Sequence, residues 1–257
     1  MHARGANVVL AGLEPAELEA RAAELGDRAA WFEADVTDLT AMEGVVAGAI
    51  ERFGGVDVVV ANAGVAPHGT VASIDPAMFD RTIEVNLLGV FRTVRAALPQ
   101  ITSRGGYILI VSSASALVHT PTMAAYTASK AGVEAFGDAL RGEIAHTGAR
   151  VGVAYFSFID TDMVRKSFAR PSVQHTRERN GGAFMKVAPL SEAIDAIERG
   201  IVTRARHVAA PRSVRPLIWL RSIAQPLSEL GGRRTGIEET IRMVEAEDSE
   251  LTTEQPV

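Results

Sequence analysis

The strongest constraint on this chain is an alternation in which six short aliphatic runs are separated by longer stretches of helical period. The runs are Asn7–Leu10, Ala30–Ala34, Val56–Ala61, Tyr107–Val111, Val151–Phe156 and His207–Ala210. Several are apolar at consecutive positions rather than at every second one, the pattern of strands buried on both faces of a parallel sheet. Between them, Pro15–Leu25, Leu39–Phe53, Pro76–Ser103, Met123–Thr147 and Ser191–Arg204 suit helices. Asp75-Pro76 reads as an N-cap followed by proline at the first helical position. This order predicts an α/β fold with a Rossmann-like, doubly wound parallel sheet. The 257 residues suit a single domain over 1–210 with a C-terminal extension over 211–257.

Composition removes several classes of function. There is no cysteine, so disulfide scaffolds and cysteine-ligated metal sites are excluded. The histidines show no ligand-like spacing, and no metal is expected. Seven acidic side chains and one arginine fall in Ile237–Val257, which leaves the rest of the chain near neutrality. No field of one sign covers the folded part, which argues against nucleic-acid binding. No apolar run reaches the roughly 18 residues of a membrane span, and no signal peptide opens the chain, so a cytoplasmic location is expected.

The chemistry is carried by Tyr126-Thr-Ala-Ser-Lys130, which follows a strand ending in Ser112-Ser113. Tyr126 and Lys130 lie four apart, one helical turn from each other. A phenol of pKa near 10 is a poor base, and a neighbouring ammonium favours its ionised form. Ser113, thirteen residues earlier, can turn its hydroxyl toward that helix from the strand end. Taken singly, each residue has a plainer reading, with Ser113 as a turn or cap and Asn86 and Tyr126 as satisfied structural groups.

The set resembles the short-chain dehydrogenase/reductase family, whose signature is Tyr-x-x-x-Lys with an upstream serine. The resemblance implies an oxidoreductase moving a hydride between NAD(P) and an alcohol or ketone. In it Tyr126 is the general acid/base, Lys130 lowers the phenol's pKa and holds the ribose, and Ser113 binds the reacting oxygen. Asn86, in Val-Asn-Leu-Leu-Gly, holds a water. Asp35 and Val36, in Ala-Asp-Val-Thr-Asp, match the family's adenine contact. Asn62-Ala63-Gly64 matches its Asn-Ala-Gly turn, and Thr161 its carboxamide contact. Together with Tyr126 and Lys130 these form the expected cofactor site.

The chain departs from the family pattern at two places. Phe156-Ser157 stands where Pro-Gly is usual. No Gly-x-x-x-Gly-x-Gly phosphate loop occurs among the 23 glycines. A strand–loop–helix unit ahead of Met1 is therefore expected to be missing, leaving a gap in the 3-2-1-4-5-6 strand order and weak dinucleotide binding. The alternative is a catalytically inactive remnant that binds a partner. The end of the second family strand reads Gly12-Leu13-Glu14, with no positive charge for a 2′-phosphate, which leans the cofactor to NAD over NADP.

Three regions fall outside the motifs. Val164–Pro189 is long and basic and reads as a lid, its Arg165, Lys166, Arg170, Arg177 and Arg179 forming a solvated face or, less simply, a contact for an acidic substrate. His68 and His119 fall near the site's edges and read as loop histidines. Pro216 and Pro226 bracket a short helix of at most about nine residues, and the acidic tail after it reads as frayed. That helix is expected to pack beside the pocket or across an oligomer interface. Its Trp219 and arginines suit a membrane surface less well, given the acidic tail. Small residues along the Tyr126 helix (Ala124, Ala125, Ala128, Ala131, Gly132, Ala135, Gly137) predict a two-fold homo-oligomer.

Overall fold

The fold is seen in a computed structural model that describes residues 1–179, 185–234 and 237–247. Six strands form at the aliphatic runs, namely β1 (Val8–Gly12), β2 (Ala29–Glu33), β3 (Val58–Ala61), β4 (Tyr107–Val111), β5 (Arg150–Phe156) and β6 (His207–Ala210). All pairings are parallel. The strands make two sheets, a pair β1-β2 and a four-stranded sheet β3-β4-β5-β6. β1 and β3 line one large cavity that lies between the two sheets.

β4 shows why consecutive apolar residues were needed. Ile108 and Ile110 pack on one face against Val90, Val94, Ile101, Val133 and Leu140. Tyr107, Leu109 and Val111 pack on the other face against Ala193, Ala196 and Ile201. Alternate side chains point to opposite faces, and both faces are covered by helices.

The helices are α1 (Pro15–Leu25), α2 (Leu39–Phe53), α3 (Pro76–Ile83), α4 (Gly89–Ser103), α5 (Ala124–Glu143), α6 (Asp162–Phe168), α7 (Pro171–Arg179), α8 (Leu190–Thr203), α9 (Arg215–Arg234) and α10 (Ile237–Ala246). Asp75 caps α3 as expected, its carboxylate accepting from the Ala77 amide at 2.8 Å. The continuous helix expected over Pro76–Ser103 is divided by a π-helical turn at Glu84–Leu88 that carries Asn86.

Three expectations are corrected. The lid region folds into α6 and α7 as far as Arg179 rather than forming one long connection; 180–184 lie outside the described residues. The helix bracketed by prolines instead runs through Pro226 to Arg234. Pro226 faces solvent, and so does Ser222, whose carbonyl loses its partner there, so water can satisfy the broken rung. The tail is not frayed over its first half. α10 buries Thr240 and Val244, and Thr240 meets Thr176 of α7 at 3.2 Å. The rest of the tail, from Asp248, lies outside the described residues.

Gly152 in β5 is a close-approach position that the sequence did not flag. A Cβ there would fall onto the Tyr107 hydroxyl and the Ala205 carbonyl, which share a hydrogen bond of 2.7 Å. Tyr107 is 1% exposed, and burial pushes its phenol up to about 12, so the hydroxyl has no route to water. Gly152→Ala is therefore expected to cost about 2–4 kcal/mol, through overpacking and a lost buried bond. Thermal denaturation should show Tm falling by several degrees, and an unchanged Tm would contradict this packing.

Candidate active site

The cavity between the sheets, about 2320 Å³, is open to solvent along one side and gathers the sequence-predicted residues. Asp35, Val36, Asn62, Ala63, Gly64, Ser113, Tyr126, Lys130 and Thr161 all line it. Asn86 lies just behind the wall, fully buried.

β4 and α5 position the central group by two hydrogen bonds running in opposite senses. The Lys130 Nζ donates to the Val111 carbonyl at 2.9 Å. The Ser112 hydroxyl donates to the Lys130 carbonyl at 2.8 Å. The ammonium is thereby held 5.8 Å from the centre of the Tyr126 ring. Ser113 lies two residues past β4 and caps the following 3₁₀ turn, its Oγ accepting from the Ser115 amide at 3.1 Å. The plain cap reading of Ser113 thus holds, and the same hydroxyl also interacts with the Tyr126 phenol.

Asn86 acts as a clamp. Its Oδ1 accepts from the Val65 amide at 2.8 Å. Its Nδ2 donates to the Val65 carbonyl at 2.9 Å and to the Ser129 hydroxyl at 3.0 Å. Ser129 in turn donates to the Tyr126 carbonyl at 2.7 Å. The carboxamide therefore ties the loop after β3 to the Tyr126 turn, a role beyond the water-holding one expected of it. Ser129 was missed in the sequence, although it sits inside the Tyr-x-x-x-Lys motif. Gly64 is constrained by the same cluster: a Cβ there would lie 3.2 Å from Asn86 Oδ1 and 3.3 Å from Lys130 Nζ.

Electrostatics follow burial. Burial pulls the Lys130 ammonium down to about 8. Burial also raises the Tyr126 phenol above its ordinary value, and the Ser113 hydroxyl only partly opposes it. In the protein alone, desolvation thus outweighs the lowering expected from the neighbouring ammonium. For Asp35, burial acts upward but is outweighed. The Thr37 amide at 2.8 Å and the Arg81 guanidinium at 3.4 Å hold its carboxyl below the usual range.

The basic residues from α6 through α7 are mostly engaged with the protein's own acids. Arg165 pairs with Asp160 and Asp162, Arg170 with Glu247, and Arg179 with Glu239. Arg177 lies over the Phe168 ring. Lys166 lines the cavity. Burial raises the Glu247 carboxyl, but the Ser172 amide and hydroxyl, with Arg170, bring it below its usual value. His68 and His119 both line the cavity. His68 is buried, which with Arg170 lowers its pKa. Thr161 caps α6, its Oγ accepting from the Val164 amide.

The Lys130 shift has a signed consequence. Between pH 8 and about 10.5 the unfolded chain binds more protons here than the folded one, so this group's contribution to stability rises with pH. Denaturant unfolding of wild type and Lys130→Met should show their difference growing in favour of wild type by up to about 3 kcal/mol across that window. A flat difference would contradict a buried ammonium at this position.

Residues 1–172 match the family model described as short chain dehydrogenase. The chain is 40% identical over 141 residues to a trans-4-hydroxycyclohexanecarboxylate dehydrogenase of Sinomonas cyclohexanicum, covering 51% of this chain and 54% of that protein. The chain thus spans about half the length of that curated relative. A solved short-chain dehydrogenase/reductase (glucose/ribitol dehydrogenase) from Brucella melitensis aligns with a TM-score of 0.69 at 28% identity, covering 82% of this chain and 87% of that one. An alcohol dehydrogenase from the archaeon Thermococcus sibiricus, solved with 5-hydroxy-NADP, aligns with a TM-score of 0.59 at 29% identity, covering 62% and 69%. These relatives are named as dehydrogenases, which gives the inactive-remnant alternative no support. The motif residues, the parallel sheet order and these matches agree: the chain belongs to the short-chain dehydrogenase family of oxidoreductases.

Proposed function

We propose that the protein interconverts a secondary alcohol and a ketone with a nicotinamide cofactor, with Tyr126 as general acid/base. The observation that carries this reading is the placement of Ser113, Tyr126 and Lys130 on one cavity wall, with Lys130 fixed by Val111. When bound, the cofactor supplies or accepts the hydride.

The residues present fit the two ends of a dinucleotide. Gly64 leaves open the space beside Lys130, and the Lys130 and Tyr126 side chains would meet a ribose and the reacting carbonyl. Asp35, Val36 and the Asn62–Gly64 turn would border the adenosine half, and Thr161 the carboxamide. The sequence holds no Gly-x-x-x-Gly-x-Gly motif to cradle a pyrophosphate, so this chain's own affinity for a dinucleotide is expected to be weak. NAD is favoured over NADP, because Glu14 lines the cavity just past β1, where its carboxylate would repel a 2′-phosphate.

In the reducing direction the Tyr126 hydroxyl donates its proton to the oxygen of the reacting carbonyl, while the Ser113 hydroxyl donates a hydrogen bond to the same oxygen. The raised phenol starts protonated, which suits this direction at neutral pH. The Lys130 ammonium then stabilises the phenolate left behind. In oxidation the same groups run in reverse. We place a homo-oligomer in the same proposal. Phe91 and Leu88 are exposed beside α5, and Phe91 packs edge-on against Phe136. Of the small α5 residues, Ala125 and Gly137 face inward, and Ala124, Ala128 and Ala135 are open to a partner.

The probe is trans-4-hydroxycyclohexanecarboxylate, a cyclic secondary alcohol taken from the relative's name, at millimolar NAD to offset weak binding. Tyr126→Phe should lower turnover at least about a hundredfold with cofactor affinity little changed. Near-normal turnover in that variant would remove Tyr126 from the acid/base role.

A further inference from the structure

α9 is amphipathic in an unusual sense, since its inner side is pinned to the domain while its outer side is largely exposed hydrocarbon, touched by the domain where Trp219 meets the His207 ring edge-on. On the inner side, Leu217 and Ile218 pack against the cluster of Leu117, Tyr155 and Val214. Arg221 donates to the buried Glu134 at 2.8 Å, and Gln225 accepts from the His119 amide at 2.7 Å. The helix is therefore held as a rigid ridge. The outer side carries Trp219, Leu220, Ile223, Leu227 and Leu230, each about half exposed or more, with Trp219 at 77%. Helical spacing puts these five with Pro216 and Pro226 on one continuous face. Isolated exposed apolar residues need no account, but a contiguous face of this kind marks an interaction surface.

We propose that this outer face rests on an anionic lipid surface, with Trp219, Leu220, Ile223 and Leu227 inserted at the headgroup boundary. Charge argues for this occupant. Besides Arg221, which is paired with Glu134, residues 212–234 contain four arginines and one glutamate, with Arg212 and Arg215 before the apolar face and Arg233 and Arg234 after it in the sequence. Basic residues at both ends of an apolar helix face suit lipid phosphates, and tryptophan prefers that interface. A second copy of the same helix fits less well. Antiparallel pairing about Ile223 would bring Arg212 and Arg215 toward the partner's arginine-rich end, and parallel pairing would set Arg215 against its own equivalent. The acidic tail opposes lipid less than its sequence implies, since Glu239 and Glu247 are paired with Arg179 and Arg170.

The helix is a peripheral anchor, because no helix among the described residues is long and apolar enough to cross a membrane. The apolar face also continues inward: Leu217, Ala224 and Leu227 line the cavity that holds Tyr126. A lipid-dissolved alcohol or ketone would reach the site along this edge. That last step rests on the proposed reaction, whereas the docking does not.

The test is co-sedimentation of the full chain with vesicles of phosphatidylcholine and phosphatidylglycerol, and of phosphatidylcholine alone, at low salt. Light scattering is run in parallel. Leu220→Ser and Ile223→Ser together change residues outside the cavity lining and keep Trp219 as a fluorophore. Supporting results are sedimentation with the anionic vesicles, a blue shift of tryptophan emission, and a loss of at least tenfold in partitioning for the double variant with its Tm retained. Wild type left in the supernatant of the anionic vesicles would overturn the proposal, as would a variant that binds equally well. So would a wild-type oligomer that the double variant dissolves without vesicle binding, which would make the second copy the occupant. None of these readings uses turnover, so they fail or succeed independently of the hydride chemistry.

Discussion

The site depends on a reciprocal stitch between a strand and a helix. Lys130 reaches back from α5 to the last carbonyl of β4, and Ser112, one residue past that strand, reaches forward to the carbonyl of Lys130. Neither bond can form unless β4 is held to within tenths of an ångström of α5. The two-faced apolar packing of Ile108, Leu109 and Ile110 supplies that rigidity. Asn86 extends the stitch to a third element by fixing Val65 and Ser129. The wall of the candidate site is thus built from strand ends and one helix turn rather than from mobile loops.

Burial sets the protonation states within that wall. It moves the phenol and the ammonium in opposite directions, each away from its charged form. The neutral phenol and a lysine still mostly protonated at pH 7 make a proton donor backed by a positive charge. Any event that brings negative charge onto the Tyr126 oxygen is therefore favoured by Lys130. Asp35 shows the opposite balance, where a backbone amide and a guanidinium outweigh desolvation and keep the carboxylate charged.

Much of this was legible in the sequence for physical reasons. A strand covered on both faces leaves consecutive apolar residues, so Tyr107–Val111 and His207–Ala210 were read at their observed bounds. The Asp75 cap marks a helix start through a local hydrogen bond. The Ser113, Tyr126 and Lys130 spacing is set by one helix turn and one strand end, both of which are local. What escaped depends on distant neighbours. Pro226 reads as a helix stop in sequence, yet at a solvent-facing position the Ser222 carbonyl it leaves free is open to water. The acidic tail reads as frayed because it is a chain terminus, yet Arg170 just before α7 and Arg179 at its end pair with Glu247 and Glu239. The clamp made by Asn86 and the close approach at Gly152 involve residues 21 to 53 positions away, beyond the reach of any local pattern.

The proposed reduction of a carbonyl beside Tyr126 by hydride from a nicotinamide can be followed by isotope transfer. NADH or NADPH carrying deuterium at the nicotinamide C4 is supplied at millimolar concentration with a panel of cyclic and aliphatic ketones, and the alcohol is examined by mass spectrometry. Deuterium is expected at the carbinol carbon of the product. An alcohol whose carbinol hydrogen comes from solvent, or no reduction of any ketone although the cofactor binds, would contradict it.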